Sequence, residues 1–358
     1  MLKDPTQKRP GIYILGRDNV GGSIDQNREL YTSAFHKLKH KVTASPLKAD
    51  IVFSVWWNKL LDRKTRFFTK TCFWKPVVAR FSNDPWRFEK QFSQIRRRAT
   101  AFIYAHSRQR EWLLDQGIES ERLFYNPVYV DESLFQPSAT PVGDIAKSLD
   151  LDGTVLSSSL VIGSFQNDSV SSLRAPKHVK DPDTLLEIVQ RLMTHERVML
   201  LLAGPRRHYI VNQCLQRGIP YLFVGDERYH TEMKDDLTAN NLSLKTVAQL
   251  YQLIDLYIVS SRSESGPRGT LEASLTRKPV LSTDVGVARD MLHPFCIFRG
   301  PQDAADKARE LIQTPTRRSA IAQENFAKVS RVNNFTAFCE RADQVIQHCW
   351  RHRWKFPL

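Results

Sequence analysis

LYIVSSRSESGPRGTLEASLTRKPVLSTDVG, residues Leu256–Gly286, decides how the chain is read. Its first four residues have the length and the aromatic and β-branched content of a buried strand. Gly266, Pro267 and Gly269 then open a loop that runs into a short helix. Lys278-Pro-Val-Leu-Ser-Thr-Asp284 supplies a second strand, and Gly286 a turn. A strand feeding a glycine-bearing loop and a helix N-terminus aims backbone N–H groups and a positive dipole end at one point, which suits a phosphate. Glu264 and Glu272, eight positions apart, flank that point. Glu264 sits at the strand's carboxyl end and Glu272 in the first turns of the helix. Their carboxylates can accept hydrogen bonds from hydroxyls on either side of a bound diphosphate, and sugars and ribose carry such hydroxyls. An ordinary βαβ unit with solvated glutamates shares the bare spacing but not this order of elements.

The same alternation runs outward in both directions, which predicts an α/β fold with parallel sheets. Strands are expected at Gly11–Leu15, Ile51–Trp56, Pro76–Phe81, Ala101–Tyr104 and Leu123–Tyr125, with helices near Ile24–Lys39, Phe88–Arg98 and Arg108–Gln116. Gln136-Pro-Ser-Ala-Thr-Pro-Val-Gly143 lacks periodicity and reads as an interdomain linker. Beyond it, strands are expected at Leu160–Phe165, Val198–Ala203, Tyr221–Val224, Leu256–Val259, Val280–Thr283 and Phe295–Phe298. The reading is two Rossmann-like domains, 1–140 and 141–334, facing each other across a ligand cleft at the carboxyl ends of their strands, with 335–358 as a terminal helix.

The run Ser260–Gly286 resembles the donor-binding segment of the retaining, family 4-type glycosyltransferases of the two-domain GT-B architecture. Their pattern is two glutamates with seven residues between them, then Lys/Arg-Pro-Val and a Thr-Asp-Val-Gly-like turn. The resemblance extends to Ala105-His-Ser107, Gly117, Tyr125-Asn-Pro-Val-Tyr-Val-Asp131 with Phe135, Lys180–Glu187, Ala203-Gly204 and Val247–Asp255. It is strong over about 155–290 and weak over 1–100. It implies retaining, metal-independent transfer of a sugar from a nucleotide-diphosphate donor to an acceptor hydroxyl. It also implies a last helix that crosses back onto the first domain.

Carried over residue by residue, the resemblance makes Glu264 the contact to the donor sugar and Glu272 the contact to the ribose. The loop Gly266, Arg268, Gly269 and Thr270 cradles the diphosphate, where Pro267 has no N–H to offer. Arg268 reads as a phosphate clamp, an acceptor contact or a solvated arginine. Lys180 is the cation expected to meet the charge developing on the leaving nucleotide, with the strand-end Gly163 and Gly204 beside it. The family's arginine after the first strand's glycine is missing, because Ser164 follows Gly163; Arg174, in the lengthened loop Gln166–Pro176, is a candidate replacement. Asp181-Pro-Asp183 reads as a helix N-cap with proline at the first helical position, not as a metal-binding DxD.

The first domain is expected to hold the acceptor. Gly21 and Gly22, in Gly16-Arg-Asp-Asn-Val-Gly-Gly-Ser23, resemble the loop that covers the reaction centre; this is not a GxGxxG. No histidine follows the third-strand region, where Ser82, Asn83 and Asp84 stand instead. Asp84 reads either as a carboxylate acting on the acceptor hydroxyl or as a turn aspartate before proline. His106 reads as a packing residue.

The bulk properties set the frame. The chain has 358 residues, enough for two cores, with 41% hydrophobic and 25% charged residues. Its longest apolar run, near Val198–Ala203, is far below the roughly 18 residues that span a bilayer. The start, Met-Leu-Lys-Asp-Pro, has no apolar signal core, and five dispersed cysteines (Cys72, Cys214, Cys296, Cys339, Cys349) lack ligand spacing. A cytoplasmic protein with reduced thiols, no metal site and no cofactor is expected. The net charge is +14, and residues 1–140 hold 24 Lys and Arg against 14 Asp and Glu. The basic residues cluster with aromatics at Lys59–Lys70 and at Arg96-Arg97-Arg98. Such a surface suits a lipid-linked or polyanionic acceptor, an anionic membrane or no partner at all. An epimerase of the same architecture, a nucleic-acid-binding protein and a nucleotide-binding but inactive scaffold are the rival readings; the second would show steep salt dependence.

Overall fold

The computed structural model describes residues 9–19, 21–62 and 74–353. The chain forms two compact units. One comprises Met1–Tyr129 with Phe335–Leu358, the other Val130–Asn334. The division thus falls after Tyr129, ahead of the segment read as a linker. That segment lies inside the second unit because its proline and glycine start a helix, Val142–Ser148, and the Ser138 N–H donates to Gln252 Oε1 at 3.1 Å.

The first unit is built on six parallel strands: β1 (Gly11–Leu15), β2 (Lys41–Val42), β3 (Ile51–Ser54), β4 (Val77–Arg80), β5 (Ala101–Tyr104) and β6 (Leu123–Tyr125). Their order is β2-β1-β3-β4-β5-β6. β3 and β4 are buried at every position, as parallel strands covered on both faces must be. On one face Ile12, Ile14 and Phe53 pack against Tyr31 and Phe35 of the helix Ser23–Lys37 and against Phe338, Val345 and Ile346 of the last helix, Phe335–Arg351. On the other, Val52, Phe81 and Phe102 meet Trp57, Phe92 and Leu113. The last helix is also tied to this sheet by polar contacts. His40 Nε2 and Asp343 Oδ1 lie 2.9 Å apart and buried.

The second unit has five parallel strands: β7 (Leu160–Ser164), β8 (Val198–Ala203), β9 (Tyr221–Val224), β10 (Leu256–Val259) and β11 (Val280–Ser282), in the order β11-β10-β7-β8-β9. The chain steps outward from β7 to β9, then returns to β7's other side for β10. β7 and β10 therefore flank the switch point, and a ligand crevice is expected at their carboxyl ends.

Two expectations differ. β2 was not foreseen, because a two-residue strand shows no periodicity. Phe295–Phe298 is not a strand: Pro294, which has no N–H to give a ladder, starts a 3-10 turn, and only a single bridge, Ser282 to Ile297, forms.

Candidate functional site

At the end of β10, Ser260 turns its hydroxyl onto the Asp181 carbonyl at 2.9 Å and the Lys180 carbonyl at 3.1 Å. This fixes the peptide between them just before the helix Pro182–Met193. Asp181 is in the left-handed region, with φ +47°. Its carboxylate does not cap a backbone N–H, as an N-cap would; it accepts from the Thr184 hydroxyl at 2.9 Å and Arg262 Nε at 2.7 Å. So anchored, Lys180 forms a short ion pair with Glu264, whose Oε1 also accepts from the Ser261 hydroxyl at 3.1 Å. Both side chains are largely shielded, at 19% and 16% exposure. The switch point thus joins residues 84 positions apart.

A third charge enters that the sequence reading passed over. Lys177 is half-buried; burial holds its ammonium below the usual value, Lys180 lowers it further and Glu264 opposes this. Its backbone N–H donates to the Asp168 carbonyl at 2.6 Å, and its carbonyl accepts from Lys180 N–H at 2.7 Å. Arg174 is not brought there. Its loop closes as a tight hairpin, Val170 N–H on the Ala175 carbonyl at 3.1 Å, with Arg174 exposed at its tip. The side of Ser164 where the missing arginine was sought is met instead by Arg207, which donates to the Ser164 hydroxyl at 3.0 Å and approaches Asp168 Oδ2 at 3.0 Å, fully buried. A lysine three residues before another in an irregular loop, and an arginine after Gly204-Pro205, were the only traces of these two.

Glu272 lies deeper, at 8% exposure. Its Oε2 accepts from the Tyr251 hydroxyl at 2.9 Å, beside Phe165 and Tyr257. Burial raises its carboxyl, while the Tyr251 hydrogen bond and the charge of half-buried Arg268 oppose that. Gly269 has a packing reason: a Cβ there would fall 2.7 Å from Tyr257 Cε1. So does Gly286, at φ +52°, where a Cβ would come within 3.0 Å of the Glu264 carbonyl. The motif's turn is thereby pressed under the loop that carries Glu264. Lys278 donates to the Gln252 carbonyl at 3.0 Å, closing the helix Leu244–Leu253. Gly266 and the N-terminus of the helix Arg268–Leu275 complete the loop; its Pro267 cap has no side-chain hydrogen bond.

Other expected contacts are placed elsewhere. Gly163 has a packing reason, since a Cβ would meet Ile254 Cδ1 at 2.8 Å. Gly204 turns the chain after β8 at φ +90°. Thr270 is fully buried, and its hydroxyl has no hydrogen-bond partner among the described residues. Beside the Lys180–Glu264 pair, a cavity of about 400 Å³ is lined by Ser260, Ser261, Arg262, Thr283, Arg299 and Gly300.

In the first unit, Gly21 (φ +68°) and Gly22 lead into the helix Ser23–Lys37, and Asp25 accepts the N–H groups of Asp18 and Gly21, each at 3.1 Å. The helix thus supplies its own carboxylate at this N-terminus. Asn83 Oδ1 accepts from Trp57 Nε1 at 2.6 Å and its amide donates to Asn58 at 3.0 Å, so its side chain holds the loop. Asp84 is 4% exposed and 3.9 Å from buried His106. Arg96, Arg97 and Arg98 are exposed. Most of the other basic segment, residues 63–70, lies outside the described residues, as do Cys72 and Phe73; the remaining cysteines are unpaired and buried. Among the described residues no helix is long and apolar enough to cross a membrane.

Residues 166–328 match the family described as Glycosyl transferases group 1. The fold is similar to that of HepE from Anabaena in complex with UDP and glucose, with a TM-score of 0.71, 14% identity, and 95% of this chain and 100% of that one covered. It is similar also to sucrose-phosphate synthase from Thermosynechococcus elongatus, with a TM-score of 0.71, 13% identity, and 96% and 100% covered. A glycosyltransferase from Rickettsia africae gives 0.68, 13%, 96% and 100%. No curated protein matches the chain. At such identities the likeness is one of fold. The two parallel α/β sheets are those of the GT-B glycosyltransferase fold.

Proposed function

We propose that this chain moves a sugar from a nucleoside-diphosphate sugar to an acceptor hydroxyl, with retention of configuration. The observation that carries the reading is the convergence of Lys180, Lys177 and Glu264 beside the helix N-terminus at Arg268, at the switch point of the second sheet. Transfer breaks the bond from the anomeric carbon to the diphosphate and makes one to the acceptor oxygen. The charge left on the diphosphate is then met by two ammonium groups and a helix dipole, so no metal is assigned to this step. The donor must also divide the Lys180–Glu264 pair: its phosphates draw Lys180, and its sugar hydroxyls replace the ammonium on Glu264. Glu272 takes the ribose. A uridine nucleotide is the first choice of donor, because HepE, of the same fold, was crystallised with UDP.

The acceptor is assigned to the first unit, whose basic surface suits a glycan or lipid-linked acceptor at an anionic membrane. Melting temperatures with UDP-, GDP-, dTDP- and ADP-sugars test the donor, since a bound ligand stabilises by RT ln(1 + [L]/Kd). One class is expected to raise the melting temperature, and Glu264→Gln to reduce the rise. The reading fails if no nucleotide sugar stabilises the chain while oligonucleotides bind with steep salt dependence. Product analysis by NMR separates transfer from epimerisation and reports the anomeric configuration. Sedimentation with anionic and neutral vesicles tests the membrane surface; equal binding to both would remove it.

A further inference from the structure

Three residues of the second unit converge where the sequence shows no ligand spacing: His208, His230 and Asp236. His208 opens the helix His208–Arg217 after β8, His230 lies in the short helix Arg228–Thr231 after β9, and Asp236 follows in the next loop. Their side chains are 1%, 7% and 0% exposed. His208 Nε2 lies 2.9 Å from the Lys234 carbonyl and 3.2 Å from that of Tyr229. Both are acceptors, so Nε2 carries the proton and Nδ1 presents a bare lone pair. That lone pair faces Asp236 Oδ1 at 3.9 Å, with no hydrogen bond formed. His230 Nε2 stands 3.6 Å from Asp236 Oδ2, and among the described residues neither of its ring nitrogens has a hydrogen-bond partner within 3.5 Å. The Asp236 oxygens accept one donor each, Arg206 N–H and the Asn240 amide, both at 2.7 Å, which leaves further lone pairs turned inward.

A buried carboxylate and two buried imidazoles left in this state are costly. As the groups stand, at 3.6 and 3.9 Å, no hydrogen bond within the cluster satisfies them. A cation does. Ligands on a tetrahedral ion at about 2.0–2.1 Å stand roughly 3.3 Å apart; the three ligand atoms here lie within 4.8 Å of one another, so the cluster contracts to hold an ion. The backbone carbonyls on His208 Nε2 are the outer contacts that a metal-bound histidine uses to fix its tautomer.

We propose that His208 Nδ1, His230 Nε2 and one Asp236 oxygen bind a divalent transition-metal ion of the zinc type, with water in the fourth position. The expectation of a chain without a metal site is revised accordingly. The ion fastens the segment after β9 to the loop after β8. Asp236 already holds the Arg206 N–H, and the next residue, Arg207, holds Asp168 and Ser164. Lys177 in turn hangs from the Asp168 carbonyl, so the metal braces the scaffold of the phosphate-facing lysines without entering the reaction. The proposal stands independently of the glycosyl-transfer reading.

The test uses the full chain without a histidine tag, stripped with a chelator and then titrated with Zn2+ or Co2+ alone. Expected are one metal per chain by elemental analysis, a higher melting temperature with Zn2+, and visible absorption with Co2+ that saturates at one equivalent with the intensity of a four-coordinate site. His230→Ala should lose all three, whereas His348→Ala, at the separate His348–His352 pair, should keep them. Substoichiometric metal with no thermal shift, as for a cluster that holds only water, overturns the proposal. So does full binding by His230→Ala. Should that variant not fold, the Co2+ end point of the unaltered chain decides alone.

Discussion

The Tyr251 hydroxyl donates to Glu272 Oε2 at 2.9 Å, at the floor of the site. Burial raises the Glu272 carboxyl above its ordinary 4.5. A raised carboxyl favours the fold fully below its unfolded value, and that contribution is lost as pH rises through the folded value. Donor binding runs the other way, because only the carboxylate offers every lone pair to a ribose. Relative to Glu272→Gln, the unaltered chain should lose stability and gain nucleotide affinity as pH rises from about 4.5 toward neutrality. Calorimetric unfolding and titration with UDP across that range check both signs; parallel slopes in the two proteins would refute the assignment.

Lys177 and Lys180 should both matter to the diphosphate. A hydrogen bond to a charged group contributes about 1.5–3 kcal/mol, so each alanine substitution should weaken UDP binding by roughly 10- to 150-fold. Arg174→Ala should change it little, since Arg174 sits exposed at a hairpin tip. Titration calorimetry decides, and equal losses at Arg174 and Lys177 would show the wrong cation was chosen.

Two glycines should respond in opposite directions to alanine. At Gly269 the new methyl meets the buried Tyr257 ring at 2.7 Å, an overpacking that costs about 1–3 kcal/mol. At Gly143, in the helix Val142–Ser148, nothing lies within 4 Å, and relief of the glycine's flexibility should stabilise by about 0.5–1 kcal/mol. Chemical unfolding of both variants gives the signs directly.

Asp168→Asn should be severe. It leaves the fully buried Arg207 guanidinium without its counter-charge, a loss of about 3–5 kcal/mol. A loss of unfolding free energy of less than a quarter of that size would mean that Ser164 and the Gln166 carbonyl satisfy Arg207 unaided.

The sequence exposed the parts of this molecule that are written locally. Ten of the expected strands occur because buried parallel strands are short runs of apolar residues whatever their neighbours. The Lys180–Glu264 pair was legible because its residues sit in ordered motifs. Lys177, Arg207 and the His208–His230–Asp236 cluster were not, since each depends on loops whose path no periodicity reveals. Gly163 shows a related difficulty: a motif position can be demanded by packing, here against Ile254, as readily as by a ligand.

The first unit takes its last helix from the far end of the chain, whereas the second is one unbroken run, Val130–Asn334. On a ribosome, which releases the chain from its beginning, the later-made unit is therefore the first to be complete. Ile12, Ile14 and Phe53 can meet Tyr31 and Phe35 early, but they must wait for Phe338, Val345 and Ile346 to emerge. Premature termination anywhere within 335–351 would leave the second unit whole and the first with an apolar face open to chaperones and proteases.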